Sequence, residues 1–139
     1  MTTTQEMIEQ AREAKQDAYD RYSNYSVGAT VLTQDGSVYK GVNIENITLD
    51  MCSHAERTAI KTAIAEGHRN FQSLAISTQG EDGAPPCATC RQFIAEFCGD
   101  NFTIYSDLGG DDFESYTLGG IYPMAFRPEQ VEETDESSF

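Results

Sequence analysis

Segments with helical and strand-like hydrophobic periods alternate along this chain, and this alternation constrains its fold more than any other feature. Residues 4–22 carry apolar side chains at three- and four-residue intervals, as one face of a helix requires. Residues 26–32 and 37–42 fit two strands joined by Gln34-Asp35-Gly36, and an Asp-Gly pair between strands favours a hairpin. The later segments are predicted as helices over 53–66 and 87–97 and strands over 71–78, 102–106 and 113–118. The pattern predicts a three-layer α/β/α domain.

Local signals support the ends of several elements. Thr3-x-x-Glu6 fits a capping box at the start of the first helix, and Gly67 follows the second helix where a glycine commonly ends one. Residues 79–86 contain two glycines and two prolines, which predicts a loop. We expect one domain over 1–127 and a flexible acidic tail over 128–139, frayed over its last nine residues.

The charge of the chain limits its partners. Lys and Arg number 9 and Asp and Glu number 23, so the formal net charge of the 139 residues is −14. Such a charge repels a phosphate backbone or an anionic membrane face, so we expect no nucleic-acid and no membrane partner. No apolar run reaches the roughly 20 residues that span a bilayer and no leader pattern begins the chain, which predicts a cytoplasmic protein. The acidity fits either a solubility strategy or a surface adapted to high salt.

The cysteines and one histidine suggest a metal site. Cys87-x-x-Cys90 opens a predicted helix, so both thiols share one face and can reach one ion. His54 opens another helix and supplies a third ligand, which leaves the fourth tetrahedral position to water, as in catalytic zinc sites. Glu56, two residues further on, is placed to accept and deliver protons.

Each of these signals has a structural alternative when taken alone. Cys-x-x-Cys also occurs in zinc ribbons and redox motifs, a lone His54 fits a helix cap, and Ser53-x-x-Glu56 fits a capping box. Their joint occurrence is more specific, because His-x-Glu followed by Pro-Cys-x-x-Cys is the known signature of zinc-dependent nucleobase deaminases. The combination predicts a Zn²⁺ cofactor.

The chain resembles the small homotetrameric cytidine deaminase family from residue 22 to 126. The resemblance is carried by six ordered segments: 22–26 (YSNYS), 27–29 (VGA), 43–46 (NIEN), 54–59 (HAERTA), 86–92 (PCATCRQ) and 122–126 (YPMAF). It implies a cytidine deaminase-like domain with a mixed, roughly five-stranded sheet and a homotetramer whose sites borrow neighbouring side chains.

The resemblance also implies roles for individual residues. Zinc would be held by His54, Cys87 and Cys90, with Glu56 as the proton shuttle and Arg57 offsetting thiolate charge. Asn43 and Glu45 would bind the ribose, and backbone groups around Ala55 and Cys87 would hold the polar edge of the base. Phe126 would reach a neighbouring site unless it is an ordinary core aromatic.

Three departures from the family pattern bear on specificity. His54 stands where most small nucleoside deaminases of this type carry cysteine, which makes the metal site one unit more positive. Ser26 runs straight into Val27 where the family usually inserts a phenylalanine that packs on the nucleoside, a shortening shared with blasticidin S deaminases. Leu49 and Asp50 occupy positions where a Tyr-Gly pair is common.

The function expected from these features is hydrolytic deamination at C4 of a cytosine nucleoside, in pyrimidine salvage, with Glu56 moving protons to N3 and to the departing amine. A modified cytosine nucleoside or an antibiotic such as blasticidin S is the alternative substrate. Deamination of single-stranded nucleic acid conflicts with the charge, and deamination of a free base would leave Asn43 and Glu45 without a sugar. A non-catalytic zinc module would instead close the site with Cys52 or Cys98 as a fourth ligand.

Overall fold

A five-stranded mixed sheet forms the centre of the protein. The structure is a computed structural model that describes residues 2–80 and 82–132. The strands are β1 (Gly28–Thr33), β2 (Val38–Val42), β3 (Phe71–Ser77), β4 (Thr103–Gly109) and β5 (Asp112–Thr117), in the order β2-β1-β3-β4-β5. Only β3 and β4 are parallel; β1 runs antiparallel to both β2 and β3, and β5 antiparallel to β4. The predicted mixed α/β fold is confirmed.

Helices cover both faces of this sheet. They are α1 (Thr4–Ala14), α2 (Ala55–Ala65), α3 (Ala88–Phe97) and two single turns, α4 (Leu118–Ile121) and α5 (Glu129–Glu132). Helix α1 packs on one face through Met7 and Ile8, which form a small cluster with Leu32 and Ala75. Helices α2 and α3 bury the larger cluster on the other face, with Ala29, Val31, Leu74, Ile76 and Ile104 from the strands. All six residues of β1 are buried, because this strand is covered from both sides.

Several local predictions agree with the structure. The capping box joins Thr3 and Glu6 in both directions, since the Glu6 backbone N–H donates to Thr3 Oγ1 at 3.1 Å and the Thr3 backbone N–H donates to Glu6 Oε1 at 3.3 Å. Gly67 ends α2 with a φ of +100°, and its N–H donates to the Ile64 carbonyl. The Gln34-Asp35-Gly36 turn joins β1 to β2 as a hairpin.

The prediction of one helix over 4–22 was wrong at its C-terminal end. The α-helix stops at Ala14, one 3₁₀ turn follows over Lys15–Asp17, and Ala18 is already extended. Tyr19 then pairs with a distant segment, because its N–H donates to the Asn43 carbonyl and its carbonyl accepts from the Glu45 N–H. Long-range backbone pairing thus outweighs the helical period of the sequence at this point.

The C-terminal segment contains short helical turns. Residues predicted as irregular between 119 and 126 include part of α4, and α5 lies inside the predicted tail. Residues 133–139, the greater part of that tail, lie outside the described residues. Among the described residues, no helix is both long and apolar enough to span a membrane.

Candidate active site

Two helix N-termini meet at one end of a cleft. His54 is the N-cap residue of α2 and Cys87 is the N-cap residue of α3, and neither side chain caps its own helix by a hydrogen bond. His54 Nδ1 lies 3.1 Å from Cys90 Sγ and 3.4 Å from Cys87 Sγ. The side chains that sequence spacing predicts as ligands, separated by 33 residues of chain, are therefore brought together.

These three donors fit a zinc ion. Zinc bonds of about 2.3 Å to sulfur and about 2.0 Å to nitrogen place the two donor types about 3.6 Å apart at neighbouring tetrahedral corners. The observed nitrogen–sulfur separations are within about 0.5 Å of that value, and all three donor atoms lie within 4.8 Å of one another. No fourth Cys, His, Asp or Glu joins the group among the described residues, so a protein ligand does not close the site there.

The groups around the Cys90 thiol act on its charge in opposite directions. Burial raises the pKa of the Cys90 thiol, and the charges of Glu56 and Cys87 raise this pKa further, whereas Arg57 lowers it. The positive ends of α2 and α3 also stabilise negative charge at this point. Within the part of the chain that the structure describes, the buried Arg57 Nε has no hydrogen-bond partner. A donor left free beside the ligand cluster suits a centre that carries thiolate charge.

Glu56 lies in the first turn of α2 and is only 6% exposed. Burial raises the pKa of its carboxyl group, and the backbone N–H of Glu56, the His54 charge, the Cys90 thiol and the Arg57 charge each offset part of that rise. The capping-box alternative for Glu56 was wrong, because the N-cap is His54 and the Ser53 hydroxyl contacts the Thr58 hydroxyl at 2.9 Å instead. Glu56 is therefore a buried carboxyl group beside the ligand cluster rather than a helix cap.

A cleft of about 610 Å³ lies in front of Glu56 and His54. Its floor and walls include Tyr22, Ser23, Tyr25, Val27, Asn43, Glu45, Leu49, Cys52, Ser53, His54, Ala55, Glu56, Ile76, Thr78, Ala84 and Pro85. The cleft thus combines the zinc-ligand end with a second polar wall formed by Asn43 and Glu45. A volume of this size accommodates a small organic molecule.

The second polar wall is tied to the segment before β1. Asn43 Oδ1 accepts from the Val27 N–H at 2.9 Å, and Asn43 Nδ2 donates to the Tyr25 carbonyl at 2.8 Å. Glu45 Oε1 accepts from the backbone N–H groups of Tyr22 and Ser23, each at 3.0 Å. The Ser23 hydroxyl donates to Glu45 Oε2 at 2.5 Å and lowers the pKa of this carboxyl group, an effect that desolvation partly opposes.

Comparison with known proteins identifies the group to which this arrangement belongs. Residues 1–106 match the profile described as the cytidine and deoxycytidylate deaminase zinc-binding region. This chain belongs to that family. A cytidine deaminase of Sporosarcina psychrophila is 39% identical over 91% of this chain and 93% of its own length, and one of Halalkalibacterium halodurans is 37% identical over 91% and 96%.

A crystal structure of cytidine deaminase from Burkholderia pseudomallei has the same fold. It superposes with a TM-score of 0.85 at 35% identity and covers 90% of this chain and 100% of its own. The chain is accordingly a zinc-dependent deaminase, and zinc is its cofactor.

Two cysteines of this deaminase stand apart from the ligand cluster. Cys52 lines the cleft, but its sulfur accepts from the Asn46 N–H at 3.2 Å. Cys98 is buried in the larger hydrophobic cluster, where desolvation raises its pKa to about 12. Neither belongs to the three-residue metal group, so the alternative of a non-catalytic module with Cys52 or Cys98 as fourth zinc ligand has no support among the described residues.

Phe126 does not line the deaminase cleft of its own chain. Its side chain is 62% exposed, so the alternative that it is a core aromatic was wrong. Its backbone carbonyl accepts from Gln92 Nε2 at 2.7 Å, which holds the segment against α3. The aromatic ring of Phe126 is thus left at the surface.

The segment 22–26 contributes more to the deaminase cleft than its sequence suggested. Tyr25 lines the wall, so an aromatic ring is present there without the insertion expected from the family. Tyr22 and Ser23 line the cleft and bind Glu45, roles that the sequence analysis did not assign. The signal that could have found them is the position of the polar YSNYS run directly before the buried β1 strand. Leu49 lines the cleft, whereas the neighbouring Asp50 is exposed and does not.

Proposed function

We propose that this protein hydrolyses the 4-amino group of cytidine or deoxycytidine, with water as the second substrate and ammonia and the uracil nucleoside as products. The observation that carries the proposal is a cleft lined at one end by His54, a member of the three-donor cluster, and by the buried Glu56, and at the other end by a polar wall suited to a sugar. A free base would use only the first half of this cleft.

His54, Cys87 and Cys90 are the proposed zinc ligands, and Arg57 supports the two thiolates by its charge. Bound zinc supplies a Lewis acid that lowers the pKa of water towards about 7 and so provides a nucleophile at neutral pH. Over residues 2–80 and 82–132 the group contains three protein ligands, which is the number expected at catalytic zinc sites.

Glu56 is the proposed proton carrier. As the water oxygen bonds to C4, the Glu56 carboxylate accepts one of its protons and delivers it to N3 of the pyrimidine. It then transfers the remaining proton of the new C4 hydroxyl to the amine, so that the C4–N bond breaks, ammonia leaves and the C4 carbonyl forms. Burial suits this role because a raised pKa brings the carboxyl group closer to the pH at which it must both accept and donate. The α2 helix fixes the carboxyl group beside the ligand cluster.

Backbone groups and apolar walls orient the base in this proposal. The first turns of α2 and α3 begin at Ala55 and Ala88, next to the ligands, and the N–H groups of a first helical turn, which have no acceptor within their own helix, are suited to the polar edge of a pyrimidine. Val27, Ile76 and Tyr25 supply apolar and aromatic surface to the ring faces and exclude water from them.

Asn43 and Glu45 are proposed to bind the sugar by giving up the hydrogen bond between their own side chains for hydrogen bonds to a sugar hydroxyl. Asn43 Nδ2 and Glu45 Oε2 are 3.4 Å apart, the longest hydrogen bond made by either side chain. A sugar hydroxyl between them can donate to Glu45 and accept from Asn43, so two hydrogen bonds replace one long one. Polar groups matched in this way discriminate strongly against ligands without the hydroxyl.

The assembly is proposed to be a homotetramer in which Phe126 approaches the cleft of another subunit. Large apolar side chains are exposed near the cleft and in the C-terminal segment: Ile47, Leu49, Met51, Met124 and Phe126. Exposed apolar surface of this kind marks contact surfaces. Light scattering coupled to size-exclusion chromatography should give four times the chain mass of 15.4 kDa.

The proposed setting is pyrimidine salvage in the cytoplasm, with residues 1–127 as the catalytic domain. A site built on two thiolates requires reduced cysteines, and a reducing compartment supplies them. The formal net charge of the chain is −14, which disfavours binding to nucleic acid and leaves small nucleosides as the proposed substrates.

The test is ammonia release by the zinc-loaded protein across cytidine, deoxycytidine, cytosine, 5-substituted cytidines and blasticidin S. We expect fast turnover of cytidine or deoxycytidine and turnover of cytosine at least 100-fold slower. Turnover of only a modified nucleoside or blasticidin S would replace the proposed substrate, and faster turnover of cytosine than of its riboside would remove the sugar-binding role of Asn43 and Glu45.

A further inference from the structure

We propose that Ser23 is a positioning residue that fixes the sugar-binding carboxylate of Glu45 and the cleft wall at Tyr25 as one unit. The proposal rests on the nucleoside deaminase function above and extends it to a residue outside the metal and proton-transfer groups. Ser23 acts through these two neighbours rather than through the reacting atoms.

The Ser23 hydroxyl is the centre of a short hydrogen-bond chain. Its oxygen accepts from the Tyr25 N–H at 3.1 Å, and its proton is donated to Glu45 Oε2 at 2.5 Å. The Ser23 N–H donates to the other carboxylate oxygen at 3.0 Å. Both oxygens of Glu45 are therefore held by the same residue, and the backbone of Tyr25 is fixed by the same hydroxyl.

Counting hydrogen-bond acceptor positions shows why this hydroxyl matters. A carboxylate offers about four acceptor positions, and Glu45 fills them with Tyr22 N–H, Ser23 N–H, the Ser23 hydroxyl and Asn43 Nδ2. Three contacts are 3.0 Å or shorter and the Asn43 contact is 3.4 Å. The three short bonds leave one direction of Glu45 open to exchange with a sugar hydroxyl.

The backbone around Ser23 is itself constrained. Asn24 has a φ of +56°, a left-handed conformation that asparagine tolerates, and its N–H donates to the Asp20 carbonyl at 2.8 Å. This turn directs both the Tyr22 and the Ser23 N–H groups at Glu45. Because the Ser23 side chain is exposed and the turn has its own hydrogen bonds, Ser23→Ala should fold normally.

The experiment compares steady-state kinetics of Ser23→Ala and the original protein on cytidine and on 2′,3′-dideoxycytidine. We expect Ser23→Ala to raise KM for cytidine about 5- to 20-fold with kcat changed less than about two-fold, because binding remote from the reacting carbon is lost. On dideoxycytidine, whose sugar lacks both ring hydroxyls, the two proteins should give the same kcat/KM within about two-fold. An equal loss on both substrates would overturn the proposal.

Two variants separate positioning from general damage to the segment. Ser26→Ala removes a hydroxyl in the same segment that accepts from Gln79 Nε2. Within the described part of the chain this hydroxyl makes no hydrogen bond to Glu45, so the variant should leave KM unchanged. Ser23→Thr keeps the hydroxyl and should restore at least half of the lost affinity. In a Glu45→Gln background, adding Ser23→Ala should change KM by less than about two-fold; a full additional loss would contradict coupling through Glu45.

A titration independent of turnover distinguishes failure of this proposal from failure of the deaminase function. Hydrogen bonding by Ser23 is the main cause that lowers the pKa of Glu45, so Ser23→Ala should raise that pKa, read from the side-chain carboxyl ¹³C resonance assigned with Glu45→Gln. An unchanged pKa would overturn the positioning role. If the original protein deaminates no nucleoside, the proposed function fails, while a raised Glu45 pKa in Ser23→Ala still supports the link between the two side chains.

Discussion

The two glutamates that line the cleft, Glu45 and Glu56, differ in their exposure to solvent. Glu56 is buried, whereas Glu45, at the other wall, is half-buried and saturated with hydrogen bonds. Desolvation raises the pKa of the first carboxyl group, and hydrogen bonding from Ser23 lowers the pKa of the second. Two glutamates in one cleft are thereby suited to different tasks, proton transfer for Glu56 and constant ionised binding for Glu45.

Replacing Glu56 should abolish turnover without removing zinc. Glu56→Gln keeps the size and burial of the side chain but cannot carry a proton, so we expect kcat to fall at least about 1,000-fold, as is typical when a general acid–base group is lost. Zinc content measured by atomic emission should stay at one ion per chain, since Glu56 is not in the donor group. More than about a tenth of the original rate would remove Glu56 from the proton-transfer role.

The zinc ligands can be tested by metal content alone. His54→Ala should lose zinc because two thiolates cannot complete the site, whereas His54→Cys should retain it because zinc accepts thiolate at the same position. Cys52→Ser is the matched control, as Cys52 lines the cleft outside the donor group, and it should retain zinc. Zinc loss from Cys52→Ser would instead show that Cys52 is a fourth zinc ligand and that protein ligands close the site.

At the scale of elements, the active site depends on how closely α2 packs on β2. A Cβ built on Gly41 would lie 2.2 Å from the Ala59 backbone nitrogen and 2.5 Å from the Ala55 carbonyl oxygen, both in α2. No side chain fits in this contact, so the sequence must carry glycine where the strand passes the helix. The helix so placed carries Glu56 and begins directly after His54.

Gly41→Ala should therefore displace α2 and impair both stability and catalysis. We expect a loss of at least about 2 kcal/mol in the free energy of unfolding, since the clash is with backbone that cannot rotate away. Chemical denaturation monitored by circular dichroism measures this loss, and kcat should fall with it. Gly99→Ala is the control because nothing lies within 4 Å of its added Cβ, and its unfolding free energy should stay within about 0.5 kcal/mol of the original.

The contact between α1 and the parallel strands depends on Asp107. Its carboxylate accepts from Arg12 Nε and Nη2 at 3.0 and 2.8 Å and from the Ser77 hydroxyl at 2.8 Å. Burial raises the pKa of Asp107, but the hydrogen bonds from Arg12, the Gly109 N–H and Ser77 outweigh burial and lower it below its ordinary value of 3.8. The folded protein thus favours the ionised form of the Asp107 carboxyl group.

Asp107→Asn should destabilise the protein by about 1–3 kcal/mol at pH 7, because buried donors lose a charged acceptor. A pKa that is lower in the folded state gives stability that is present above the unfolded pKa and lost as the pH falls through the folded pKa. The difference in unfolding free energy between the two proteins should be constant from pH 8 to 5 and shrink below about pH 4. Urea denaturation across this range measures it, and a difference that shrank between pH 8 and 5 would contradict the lowered pKa.

Local sequence signals correctly predicted those turns and helix ends that depend on hydrogen bonds and backbone conformation within a few residues. The hairpin turn at Gly36, the capping box at Thr3 and the helix end at Gly67 all follow from short-range backbone chemistry. The overextended first helix failed because Tyr19 pairs with Asn43 across the chain, a contact that periodicity does not contain. The ligand cluster was predictable because its spacing is diagnostic, but the link from Ser23 to Glu45 spans 22 residues and has no periodic signal.

For the whole molecule, charge is the dominant feature that the fold leaves unbalanced. The formal charge is −14, and the ion pairs found among the described residues are Arg12 with Asp107, Arg127 with Asp100, and His68 with Asp35 when the histidine is protonated. Most acidic side chains are thus exposed without a cationic partner in that part of the chain. Their mutual repulsion opposes the folded state and any assembly of several chains.

Salt should therefore stabilise this protein. The screening length falls from about 10 Å at 0.1 M to about 3 Å at 1 M, which removes most repulsion between exposed carboxylates. We expect the thermal unfolding temperature and the deaminase activity to rise or hold between 0.1 and 2 M KCl. Activity that fell steadily over this range would contradict adaptation of the surface to high salt.

A charge variant separates screening from general exclusion of solutes from the protein surface. Glu13, Glu66 and Glu96 are exposed, and converting all three to glutamine reduces the net charge from −14 to −11 without touching the cleft. If repulsion between carboxylates is the reason that salt stabilises the protein, the triple variant should unfold at a higher temperature than the original protein at 0.1 M KCl. The difference between the two unfolding temperatures should then disappear at 2 M KCl. Sucrose at matched osmolality should stabilise both proteins equally. A difference in unfolding temperature that persists at 2 M KCl would mean that the exposed carboxylates affect stability through their solvation rather than through their mutual repulsion.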